Sequence, residues 1–109
     1  MAKPVRLRRR AADDVEAAIS RYLDEAGPEI AGRFIDAVER GLQRIGRRPH
    51  SGSLRFAYEL DLPELRVWPL ARFPYLVFYV ERQHEIDVWR VLHSRRDLPV
   101  PLVGDNDEE

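Results

Sequence analysis

Polar and apolar positions alternate first with period two and then with the period of a helix. Between Pro4 and Arg9, Val5 and Leu7 alternate with Arg6 and Arg8, the pattern of a short strand with one dry face, suited to a sheet edge. From Ala12 the period lengthens. Val15, Ala18, Ile19, Tyr22, Leu23 and Ala26 share one helical face, and Asp13, Asp14 and Glu16 fall in the first turn, where carboxylates complement the helix dipole. Gly27 supplies a stop and Pro28 a start. Ile30, Phe34, Val38, Leu42 and Ile45 then form a second apolar stripe that runs to about Arg47, so the two helices make a hairpin.

The stretch RPHSGS, Arg48 to Ser53, is a loop by its Pro, Gly and Ser content, open to a functional or a connecting role. Leu65 to Leu70 is a further strand, with Pro69 marking its end, a bulge or an edge. Phe73 to Tyr79 and the run from Ile86 are two β-rich segments joined by the polar loop Glu81 to Glu85, as in an antiparallel hairpin. Phe73, Tyr75, Val77 and Tyr79 lie on one face and Leu76, Phe78 and Val80 on the other, which predicts a central strand covered on both sides. The order β-α-α-β-β-β predicts an α+β domain: an N-terminal strand, a helical hairpin, then a three-stranded antiparallel sheet with the hairpin on one face. No internal repeat is visible.

A length of 109 residues with 44% hydrophobic content predicts one soluble domain, residues 1–103, followed by an acidic, disordered tail at 104–109. No apolar run is long enough to span a bilayer, and MAKPVRLRRR lacks the apolar segment of a secretory signal, so cytoplasmic residence without membrane contact is expected. The absence of cysteine excludes disulfides, thiolate metal sites and a cysteine nucleophile, and three scattered histidines argue against a metal or cofactor. The formal charge of −1 hides an uneven distribution. Without Asp105, Asp107, Glu108 and Glu109 the chain has 18 basic residues against 15 acidic ones, too mild an excess to predict direct, sequence-specific nucleic-acid binding. Local basic clusters stand at Arg8 to Arg10 and at Arg95 with Arg96.

The last strand ends in His-Ser-Arg-Arg-Asp, His93 to Asp97, the first place to look for function. Two long cations at a strand end suit a carboxylate-rich or phosphate surface; a solvated turn is the plainer reading. His93 is read either as a hydrogen-bonded structural histidine or, with Glu59, as an acid-base pair. By alternation Arg90 shares a face with Ile86, Val88 and Leu92, so it pairs with a carboxylate such as Glu59 or Glu64, or lines a partner-binding groove. Trp68, Trp89 and Phe73 are core residues or, where exposed, a seat for a partner helix.

Taken together, the Arg-Arg-Ala-Ala-Asp-Asp helix entry, Pro49 and Gly52 after the second helix, Phe73-Pro74-Tyr75 with Phe78-Tyr79, and Arg90-Val91-Leu92-His93 leading to Arg95-Arg96-Asp97-Leu98-Pro99 resemble the ParE branch of the RelE/ParE toxins. The resemblance covers roughly residues 3 to 102 and rests on the joint order of the pieces. It implies the toxin half of a bacterial type II toxin-antitoxin pair, in hetero-oligomeric complex with a ParD-like antitoxin that Arg90, Trp68 and Phe73 would contact. ParE-like members poison DNA gyrase, which assigns target contact to Arg95 and Arg96 and makes the chain an inhibitor rather than an enzyme. RelE-like members cut messenger RNA on the ribosome, which would make His93, Glu59 and Arg95 catalytic; a detoxified, antitoxin-binding relic is a third alternative. RNA cleavage needs proton transfer as well as cations over the phosphate, and arginine, the identity of every basic residue except Lys3, stays protonated near neutrality. The arginine that RelE-like members carry in the central strand is here Leu76 or Tyr75. The gyrase reading is the better supported of these.

Overall fold

The computed structural model describes residues 2–98, so the expected boundary at 103 and the acidic tail lie outside the described residues. The elements in order are β1 (Val5–Leu7), α1 (Arg9–Ala26), α2 (Pro28–Arg47), a 3-10 turn (Pro49–Ser51), α3 (Arg55–Glu59), β2 (Arg66–Pro69), β3 (Tyr75–Glu81) and β4 (Ile86–His93). Helix α1 begins at Arg9, a turn before the expected Ala12, because the chain passes straight from strand to helix. The Arg8 amide donates to Val88 O in the sheet, and the Arg8 carbonyl accepts from Ala12 N. The first turn therefore holds no carboxylate, and Asp14 lies one turn further in. At the other end, Gly27 takes φ 93°, a conformation that disfavours a side chain, and its amide donates to Tyr22 O and Leu23 O. Pro28 follows at once as the first residue of α2, so a single residue turns the hairpin.

The N-terminal strand belongs to the sheet, which has four strands in the order β1-β4-β3-β2 rather than three. β1 runs parallel to β4 with Val5 opposite Ile86 and Leu7 opposite Val88, while the other pairings are antiparallel. Its partner lies some eighty residues away in sequence, which the period of a three-residue strand cannot reveal.

Strand β3 is central, and Tyr75 to Val80 are buried on both faces, as the alternation predicts. Tyr75, Val77 and Tyr79 pack with Ala18, Phe34, Val38 and Ile45 of the helices. Leu76, Phe78 and Val80 pack on the opposite face with Leu65, Val67 and Leu92. That outer face is covered by α3 and the segment after it, with Phe56 and Phe78 ring centroids 5.4 Å apart. A five-residue helix is too short to announce itself by periodicity, and α3 has no counterpart among the sequence expectations.

A bulge breaks the β3–β4 ladder: Phe78 faces Arg90 and Tyr79 faces Val88, which leaves Trp89 extra. The phase of β4 shifts there, so Val91 joins the helical-side core and Leu92 the outer one. The expectation that Arg90 shares one face with Ile86, Val88 and Leu92 fails for this reason.

Candidate functional site: an arginine turn and a groove

Strand β4 ends in a turn tied by backbone amides. His93 N donates to Asp97 Oδ2 at 2.8 Å, Asp97 N donates to His93 O at 3.1 Å, and Ser94 N donates to Pro74 O at 2.8 Å. Inside the turn the amides of Arg95 and Arg96 both donate to His93 Nδ1, each at 3.1 Å. The imidazole is itself anchored, packing edge-on against Tyr75 with ring centroids 5.2 Å apart. Arg95 and Arg96 are exposed, and among the described residues neither side chain has an ion pair.

Arg90 finds its carboxylate in α1, whereas the expected partners Glu59 and Glu64 are exposed. Its guanidinium clasps Asp14 of α1 at 2.8 and 3.0 Å. Because β1 stops at Leu7, β4 has no strand neighbour on that side beyond Val88 among the described residues, and Asp14 also accepts the Val91 amide at 2.9 Å. One carboxylate thus stands in for a missing strand and neutralises a half-buried cation. The pair flanks a crevice of about 290 Å³ that Arg21, Tyr75 and Asp97 also line. Burial pushes the Tyr75 phenol above its usual value, and neighbouring Tyr22 adds to this while Arg21 opposes it.

Nor are His93 and Glu59 brought together. His93 packs edge-on against Tyr75, whose side chain joins the helical-side core, whereas Glu59 ends α3 on the outer face. His93 Nδ1 is moreover occupied by two amides.

Trp68 and Phe73, half-buried, do share a site: a groove of about 830 Å³ between α2 and the β2 end of the sheet, with Ile30, Ala37 and Gly41 on its helical wall. Gly41 is buried, and a Cβ there would come within 3.0 Å of Leu70 and 3.5 Å of Trp68, so the close packing disfavours a side chain. The Arg44 guanidinium covers the Trp68 ring at 5.5 Å. Arg33, Arg40 and Arg72 rim the groove against one carboxylate, Asp36. Arg90 is not among its lining residues.

The edge of β2 beside this groove is closed to strand pairing. Val67 spends both its amide and its carbonyl on Ser53, each bond 2.9 Å, and Pro69 has no N–H.

Sequence reasoning missed the cluster around Asp87, 2% exposed on the outer side of β4. Arg8 and Arg82 bond its carboxylate at 3.0 and 3.1 Å, and the Trp89 indole donates at 3.2 Å. Arg6 approaches at 3.6 Å, and Arg8 lies over the Trp89 ring at 4.6 Å. Burial alone would raise the Asp87 carboxyl, but the bonds and charge of Arg8, with the bonds of Arg82 and Trp89, hold it below the ordinary carboxylate value. An aspartate inside the apolar run IDVWRV was the available signal, since a carboxylate so buried requires partners.

Among the described residues there is no group of side chains suited to a metal ion, and no helix is long and apolar enough to cross a membrane. Comparison with curated protein sequences gives no match. Among solved structures the chain is similar to the chromosomal ParDE toxin-antitoxin system from P. aeruginosa, with a TM-score of 0.70, 22% identity and coverage of 84% of this chain and 96% of that one. At that identity the likeness speaks for the fold, which agrees with the α+β order read from the sequence. The family model for the ParE toxin of the type II toxin-antitoxin system parDE matches residues 5–98. The match takes in both the groove and the arginine turn, and the chain belongs to the ParE toxin family of type II toxin-antitoxin systems.

Proposed function

We propose that the chain poisons DNA gyrase through the Arg95–Arg96 turn and is held inactive by a ParD-like antitoxin seated in the Trp68–Phe73 groove. The observation that carries the reading is the exposed arginine pair on an ordered turn. Guanidinium groups stay charged and present a planar fork to carboxylates or phosphates, which serves binding and not proton transfer. On this view the chain favours the state of gyrase in which DNA is cut and not resealed, and it catalyses nothing itself.

The ribonuclease alternative lacks support in the same geometry. Its acid-base pair, His93 and Glu59, sits on different sides of the sheet, and the outer face at Leu76 is apolar and covered. The test is supercoiling by the host's purified gyrase while the folded chain is titrated in. Loss of supercoiling with accumulation of linear DNA, reversed by the antitoxin, is the expected result. No effect at large molar excess, with new 5′ ends in translated messages, would favour the ribosome.

For the antitoxin, the arginine-rimmed apolar groove beside a closed β2 edge favours an amphipathic helix with acidic flanks over an added strand. Such a segment would be disordered when free and fold on binding. The soluble yield of the chain should rise on co-expression with that partner, and equal yields with and without it would contradict the assignment.

A further inference from the structure

We propose that His93 is a positioning residue for target contact, its Nδ1 acting as the acceptor that fixes the Arg95–Arg96 turn. The role rests on the gyrase reading above, but the turn can be tested without gyrase.

The chemistry follows from the two amides that converge on one ring nitrogen, Arg95 N and Arg96 N at 3.1 Å each. A nitrogen that accepts cannot carry the proton, so the two bonds require the tautomer with its hydrogen on Nε2. In this arrangement Nδ1 does what the Oδ1 of an asparagine does in an Asx turn: it sits one bond beyond Cγ and takes the amides two and three residues on. The ring adds what asparagine lacks, an aromatic plate set edge-on to Tyr75. Asp97 closes the other side by accepting the His93 amide and donating its own to His93 O. Arg95 and Arg96 are thereby held next to each other on a short closed loop, with their backbone committed before any partner arrives. A preordered pair loses less conformational freedom on binding than two arginines on a floppy terminus.

Two substitutions separate the acceptor from the ring. His93→Asn keeps an acceptor at the right bond distance and removes the plate. His93→Phe keeps the plate and removes the acceptor. In the wild-type full chain, imidazole nitrogen shifts by NMR should report the Nε2–H tautomer with Nδ1 accepting. The Arg95 and Arg96 amides should exchange slowly in wild type and His93→Asn, and fast in His93→Phe. An Nδ1–H tautomer, or equally fast exchange in all three, would overturn the proposal.

The functional readout is linear DNA accumulated by gyrase. His93→Asn should act close to wild type, and His93→Phe should need about tenfold more protein or worse for the same cleavage, the scale of losing one to two hydrogen bonds. Wild-type potency in His93→Phe with fast-exchanging amides would refute the positioning role while leaving the gyrase reading intact. A wild-type chain that leaves gyrase untouched would remove the gyrase reading and the role built on it, while the tautomer and exchange data still judge the turn.

Discussion

The chain uses arginine in two opposite ways, one at the β1–β4 edge and one at the end of β4. At the edge, Arg6, Arg8 and Arg82 gather round a single buried carboxylate, Asp87, and the Trp89 indole completes its hydrogen bonds. At the strand end, Arg95 and Arg96 are exposed, and it is their backbone amides that are bonded. In the first region the guanidinium groups belong to the fold; in the second they stand exposed on a turn that the backbone holds. A count of basic residues cannot tell these apart, whereas the location of the nearest carboxylate can.

The largest effect expected is on the edge. Asp87→Ala leaves Arg8, Arg82 and the indole around an empty acceptor and should cost about 3–5 kcal/mol in a urea melt. A loss below about 1 kcal/mol would place the edge with ordinary surface ion pairs and erase the contrast.

Next comes a control within the neutral core that holds the loop after α2. The Tyr79 hydroxyl donates to Pro49 O at 2.6 Å and accepts the Gly52 amide at 2.9 Å, and burial pushes its phenol up despite the opposing Gly52 bond. Tyr79→Phe strands both backbone groups and should cost about 1–3 kcal/mol. An unchanged melting curve would mean that water replaces the hydroxyl.

Acid should dissolve the edge region selectively. Asp87 has a folded-state pKa below its unfolded value, so its contribution is complete above the ordinary carboxylate range, about 3.9, and is lost as pH falls through the folded value. Glu81, lowered chiefly by its bond from Lys3, adds in the same direction. The stability gap between wild type and Asp87→Asn should be steady near neutrality and narrow below about pH 4. A gap that widens in acid would reverse the sign of this assignment.

How far the sequence could be read follows the same division between local and distant causes. The helical hairpin was legible because its stripes and its Gly27–Pro28 joint are local signals, and central β3 because its apolar residues run unbroken on both faces. The pairing of β1 with β4, the Trp89 bulge and α3 were not, since each depends on a partner remote in sequence or on an element shorter than its period. Of the candidate residues, Trp68 and Phe73 meet in one groove. Arg90 turned to Asp14 because the bulge shifted its phase and the short β1 left an open edge for that carboxylate to fill. The role of the His93 ring nitrogen was hidden because a turn two and three residues long leaves no periodic trace.

The smallest expected effect on stability accompanies the whole of the expected effect on function. Arg95→Ala with Arg96→Ala should leave the melt within about 0.5 kcal/mol of wild type, because both side chains are exposed and neither has an ion pair among the described residues. The decisive measurement is the linear DNA that gyrase accumulates when this folded double variant replaces wild type. Cleavage at the level of gyrase alone, with antitoxin binding retained, is what the account predicts; cleavage equal to wild type would contradict it.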